Sequence, residues 1–264
     1  MNIKIIMINL LFCFISGCDS DVKTIEDDFI STGIEPDAFG EIIDSKVIGL
    51  RYISGEYKGI TDENGKFGYI SGEKIQFFVG DISLGDQIEP KDILTPYDLA
   101  SKNTFAAFNI ARFLQSLDDD SLLDNGIQVI NSIHLLSKNK AIDFLSQEWG
   151  EENVNHSQIE QLVYSLTKNT LSGSRYLVSP NNAYWHFSST LDQFMSDKKQ
   201  EILNEIDVTG CNSHNECGIQ SIDTAYLGYC PPLAEVYAYS KTTTDFQNMT
   251  MLAEERMKIK DIKL

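Results

Sequence analysis

Between residues 40 and 85 the apolar positions come in short runs broken every few residues by glycine; beyond Pro90 they recur at three- and four-residue steps. The first rhythm is that of a small all-β unit and the second that of amphipathic helices. Short strands are expected over residues 47–53, 59–60, 66–70 and 75–79, the last alternating Ile75, Phe77 and Val79 onto one face. Thr61-Asp62-Glu63-Asn64-Gly65 separates two of these strands. Asp and Asn bond nearby backbone and Gly65 takes positive φ freely, so the segment predicts a hairpin turn. Glycine recurs at the short intervals of a β-sandwich.

Thr95-Pro96 opens a helix, and Phe105, Phe108, Ile110, Phe113, Leu114 and Leu117 then follow near 3.6-residue spacing as a wide apolar face. Further helices are expected within residues 128–147, with a strand at its start, and over 157–168. Another over 183–206 has Ser179 as N-cap and Pro180 at its first position, where the missing N–H costs nothing. Trp185, Phe187, Leu191, Phe194 and Met195 form its expected buried stripe. Residues 236–239 predict a strand and 242–260 a closing helix with Phe246, Met249, Leu252 and Met257 inward.

The N-terminus is different in kind. Lys4 is followed by an apolar stretch of about a dozen residues, too short to span a bilayer. It ends in Ile15-Ser16-Gly17-Cys18, which reads as a bacterial lipobox. Cleavage between Gly17 and Cys18 leaves Cys18 as the first mature residue, carrying diacylglycerol and an N-acyl chain such as palmitate. Each buried CH₂ contributes roughly 0.8 kcal/mol, so several chains make a stable anchor. Asp19 directly after the cysteine matches the signal that retains lipoproteins in the inner membrane of enteric-type bacteria, which points to a periplasm-facing location. Acidic residues then dominate to about residue 40, as in a solvated tether.

The formal charge of −18 sharpens this picture. A nucleic-acid partner is excluded, because such binding needs clustered Lys and Arg. Anionic headgroups are repelled as well, which leaves the N-terminal lipid as the membrane attachment. Of five cysteines, Cys13 leaves with the signal and Cys18 is lipidated; Cys211, Cys217 and Cys230 remain. An exported chain meets an oxidising compartment, so two of these three are expected in a disulfide, with the pair left open. Cys211, His214, Cys217 and Cys230 also have donor types and spacing that zinc accepts, against which stands that same compartment.

Two stretches carry a resemblance. Asp44-Ser45-Lys46-Val47-Ile48-Gly49, Gly59-Ile60-Thr61-Asp62-Glu63-Asn64-Gly65-Lys66-Phe67 and Gly72-Glu73-Lys74-Ile75 resemble a recurring module of bacterial surface lipoproteins. Its T-D-x-x-G-x-F core is similar to carboxypeptidase-regulatory-like (transthyretin-like) sandwiches. The resemblance implies a noncatalytic β-sandwich that serves as a stalk or binding module. Asn109 to Leu117, followed by residues 118–127, resembles the segment that follows the sandwich in those lipoproteins, N-x-A-R-x-L-Q-x-L-D-x-D…N-G-I. The cysteine pattern of residues 207–264 resembles a small C-terminal module of proteobacterial exported proteins. Here it departs from the pattern: Pro231 follows Cys230 and no fourth cysteine comes after it.

The expected architecture is therefore α+β. It comprises a signal peptide (1–17), an acidic tether (18–40), an antiparallel β-sandwich module (41–90), a helical region packed with it (91–206) and a small α+β, disulfide-containing module (207–264). Asp118, Asp120, Asp124 and Asn125 are the densest set of hard oxygen ligands and the candidate site for Ca²⁺. An EF-hand starting at Asp118 is ruled out, because Leu123 and Val129 stand where Gly and Glu are required. No G-x-S-x-G, H-E-x-x-H or phosphate-binding glycine loop is present, and His134 reads as a core or rim histidine. The expectation is a noncatalytic lipoprotein of the cell envelope that binds a protein or glycan partner. The alternatives are an inhibitor or immunity-type lipoprotein docking an exported hydrolase, and a calcium-dependent surface adhesin.

Overall fold

The structure is a computed structural model that describes residues 29–30, 33–149, 157–207, 209, 211–213, 215–221 and 236–260. The lipobox with Gly17 and Cys18, the sorting residue Asp19, and His214 and Cys230 lie outside the described residues. The chain is mixed α+β.

The strands are β1 (Ala38–Ile42), β2 (Val47–Ile48), β3 (Arg51–Ser54), β4 (Tyr57–Ile60), β5 (Lys66–Tyr69), β6 (Ile75–Val79), β7 (Ile82–Ser83) and β8 (Ile93–Leu94). Four of them form an antiparallel sheet in the order β4-β3-β6-β7; β5-β1-β8 form a second sheet, with β1 antiparallel to β5 and parallel to β8. β6 buries Ile75, Phe77 and Val79 in strict alternation, as its period requires. β1 begins inside the segment whose acidity suggested a tether, and Asp37 just before it accepts a hydrogen bond from the Ser71 amide at 2.8 Å.

The predicted hairpin is corrected by the pairing. The turn forms as expected: Asp62 Oδ1 accepts from Asn64 N at 2.8 Å and Lys66 N at 2.9 Å, and Gly65 takes φ +75°. The strands it joins do not pair with each other, because β4 pairs with β3 and β5 with β1. The turn thus carries the chain from one sheet to the other. Between the sheets Tyr52, Phe67 and Phe77 meet with ring centroids 5.2–5.9 Å apart. The Tyr52 hydroxyl, buried with them, accepts from Gly68 N at 2.9 Å. Gly59 faces Tyr52 across β3 and β4, and a Cβ there would fall 2.3 Å from the Tyr52 hydroxyl, so the ring lies where only glycine leaves room.

The helices are α1 (Pro96–Leu99), α2 (Thr104–Ser116), α3 (Asn131–Leu136), α4 (Gln158–Leu166), α5 (Pro180–Glu205) and α6 (Phe246–Lys260). Thr95 and Ser157 head capping boxes at α1 and α4, and the Ser179 side chain accepts from Asn182 N at 3.2 Å at the start of α5. β9 (Ile127–Gln128) runs parallel to β2.

α2 is the central element, buried on its polar side as well as its apolar one. Asn109 Nδ2 donates to the Phe144 carbonyl at 2.8 Å, Arg112 to the carbonyls of Trp149 (2.9 Å) and Val178, and Gln115 Nε2 to Asp44 Oδ1 at 3.0 Å. The polar members of the N-x-A-R-x-L-Q motif are therefore struts that hold three other segments of chain. Buried polar donors persist where they are paired, as these are.

The first half of α5 packs on the body, with Leu191 against Ile43 and Ile93. Its last turns pack on α6, where Ile202, Met249, Leu252 and Ala253 form a second small core. β10 (Cys217–Ser221) and β11 (Val236–Ser240) pair antiparallel beside it. Three side chains expected on apolar faces point out: Phe105 on α2, Trp185 on α5 and Phe246 on α6 are exposed. Among the described residues no helix is long and apolar enough to cross a membrane.

Candidate functional site

The turn between β1 and β2 has unusual backbone and borders a cavity. Ile43 and Lys46 close it by a bridge, Asp44 points into the protein, and Ser45 takes φ +63°, the left-handed region that side chains seldom occupy. Opposite this turn runs the first half of α5, and between them lies an open cleft of about 490 Å³. Apolar atoms, among them those of Ile42, Ile43 and Phe194, make up the larger part of its lining surface, and the carboxylates of Glu41, Asp124 and Asp197 stand there with Lys46.

Ser45 and His186 meet in this cleft. The Ser45 hydroxyl lies 2.8 Å from His186 Nε2 and 3.1 Å from the Leu123 carbonyl oxygen. Burial pushes the His186 pKa down, and the nearby Asp124 carboxylate partly offsets this. On the inner side of the same turn, Asp44 is fully buried with the Gln115 amide as its hydrogen-bond donor. Burial raises its pKa to about 7, and the Gln115 bond moderates the rise. Glu41, at the cleft floor, is raised by burial and lowered by Lys198. Burial pulls Lys198 down, but its ion pairs with Glu201 and Glu255, each at 3.0 Å, hold it above its ordinary value.

Of the residues expected to bind calcium, Asp118 and Asp120 are hydrogen-bonded to each other and Asp120 to Asn125. Asp118 Oδ1 accepts from Gln128 N at 2.9 Å; Asp120 accepts from Leu122 N at 2.9 Å and from the Asn125 side-chain amide at 2.8 Å. Asp124 faces the cleft instead. Arg175 lies against the cluster; burial lowers its pKa, and Asp118, Asp119 and Asp120 counter that. Among the described residues no group of three or more His, Cys, Asp or Glu side chains is placed to hold a metal ion.

His134 is structural: its Nδ1 accepts from Gly80 N at 2.9 Å while Nε2 donates to the Gly49 carbonyl at 2.8 Å. Burial drives its pKa down to about 4. Cys211 and Cys217 are free thiols. They share a hydrogen bond, which raises the Cys211 thiol to about 11.

Sequence reasoning missed the Ser45–His186 pair, whose members stand 141 positions apart. The local signals were a serine in a D-S-K turn and a histidine beside exposed aromatics, neither of which names the other. No family model, no curated protein and no solved structure matches the chain.

Proposed function

We propose that the protein is a lipoprotein of the bacterial cell envelope, held by lipid on Cys18 and facing the periplasm, whose folded body binds a protein or glycan partner along α5. In this reading the two face-packed sheets are a transthyretin-like sandwich, and two of Cys211, Cys217 and Cys230 are joined in the oxidising compartment.

The observation that carries the reading is the pair Tyr184 and Trp185. They are 55% and 66% exposed, with rings in edge contact at 5.6 Å, on the helix that walls the cleft. Large aromatic surfaces left in water at a rigid helix start are the groups that anchor partners, because an apolar face and a hydrogen-bonding edge serve proteins and sugars alike. The acidic cleft beside them favours a neutral or cationic ligand over an anionic one.

The test uses the chain's own fluorescence. Trp185 is exposed while the other tryptophan, Trp149, is buried, so ligand-dependent emission changes report on Trp185. Titration with solubilised cell-wall glycan and with an envelope protein fraction is expected to shift the emission for one of them. Tyr184→Ala, which keeps the reporter, is expected to weaken that binding at least roughly tenfold, as loss of an aromatic anchor does. No shift with either would sink the reading.

A further inference from the structure

We propose that Ser45 is a nucleophilic serine, activated by His186, that takes an acyl group from a short-chain O-acyl ester of an uncharged or amino sugar held in the cleft. This rests on the cleft being a ligand site, and it assigns chemistry that no sequence motif announced.

Four observations converge. The left-handed backbone at Ser45 projects its hydroxyl from a tight turn into the cleft instead of along a strand. The imidazole lies at 2.8 Å, within the reach a general base needs. Burial lowers the pKa of the ring, which favours the neutral form that accepts a proton. Asp124 is near enough for its charge to favour the imidazolium once it forms. In the tautomer with hydrogen on Nδ1, Nε2 accepts the Ser45 hydrogen; the hydroxyl reaches the Leu123 carbonyl only by turning away from the ring.

The steps balance without a cofactor. Ser45 Oγ attacks the ester carbonyl carbon while its proton passes to His186 Nε2. The carbon–oxygen bond to the sugar breaks, and the imidazolium returns the proton to the departing alkoxide, leaving acyl-Ser45. Water then adds to the acyl carbon as His186 takes one of its protons. The Oγ–acyl bond breaks, Ser45 recovers the proton and the carboxylic acid leaves. Lys46 and Asn64, donors on the same wall, are the groups available to the developing oxyanion. A cleft of this size, with apolar surface for ring faces and polar side chains for hydroxyls, suits one or two sugar rings, and its carboxylates disfavour acidic ones.

The experiment treats the full chain with a serine-reactive fluorophosphonate and follows it by intact mass and peptide mapping. One adduct, on Ser45, is expected, and none on Ser45→Ala. His186→Gln is expected to label at least roughly 100-fold more slowly, the scale of a lost general base. Asp124→Asn, at an exposed position, is expected to slow labelling severalfold at unchanged thermal stability. Absence of the Ser45 adduct, or equal rates in wild type and His186→Gln at unchanged thermal stability, overturns the proposal. If tryptophan titration shows binding while Ser45 stays unlabelled, the nucleophile fails and the binding reading survives. If neither occurs, both fail.

Discussion

Asp44 and His134 are both buried and couple the fold to pH in opposite directions. The folded-state pKa of Asp44 lies at about 7 against 3.8 for the free group. Between those values the folded protein binds a proton that the unfolded chain has released, so stability falls as pH rises, by roughly 1.4 kcal/mol per unit. His134 lies at about 4 against 6.5. Between those values the unfolded chain binds the proton, so this contribution is full above pH 6.5 and is lost as pH falls through 4. The two slopes cancel over most of the range. Urea unfolding at half-unit steps from pH 4 to 7 is expected to give a near-flat contribution in the wild type. Asp44→Asn is expected to climb with pH up to about 6.5, and His134→Gln to fall toward pH 7. Three parallel curves would show that neither group titrates as assigned. The asparagine also supplies an N–H donor beside Gln115 Oε1, which is buried without a partner among the described residues, so Asp44→Asn is expected to be the more stable protein at pH 8.

At the scale of the element, α2 departs most from its sequence reading. Its spacing of Ile110, Phe113, Leu114 and Leu117 made the helix legible, but a 3.6-residue period says nothing about a polar face that is also buried. Arg112→Met is expected to cost on the order of 3 kcal/mol by chemical denaturation, because it removes charged donors from two buried carbonyls while keeping the side chain's volume. A loss below about 0.5 kcal/mol, the range of a surface change, would contradict the strut role. The capped starts at Thr95-Pro96 and Ser179-Pro180 were legible because caps are local chemistry. Strand partners were not. The Asp62–Gly65 turn has hairpin residues, yet β4 and β5 separate, because pairing is decided by which sheet buries Tyr52, Phe67 and Phe77 together. Trp185 and Phe246 fit their helical stripes yet stay exposed, Phe246 stacked on Tyr239 at the edge of the α5–α6 core, which periodicity does not register. Ser45 and His186 belong to the same class: their meeting depends on how α5 lies against the β1–β2 turn.

For the whole molecule, charge and anchor argue together. A chain at −18 gains nothing from anionic headgroups, so the N-terminal lipid alone is proposed to hold it. Cys18→Ser is expected to move the protein from the membrane pellet to the soluble fraction; retention in the pellet would require a second attachment. The long helix α5 has its own consequence at this scale. At about 1.5 Å per residue its 26 residues reach roughly 39 Å, with the first half packed on Ile43 and Ile93 through Leu191 and the other end clasped by α6. Lys198 continues the connection, sitting beside Glu41 of the cleft and paired with Glu255 of α6. α5 therefore works as a beam fixed at both ends. A chain cut after residue 206 keeps every residue of the cleft yet bares Ile202 and strips Lys198 of Glu255, so the cleft inherits part of its rigidity and its charge balance from a segment that never touches it.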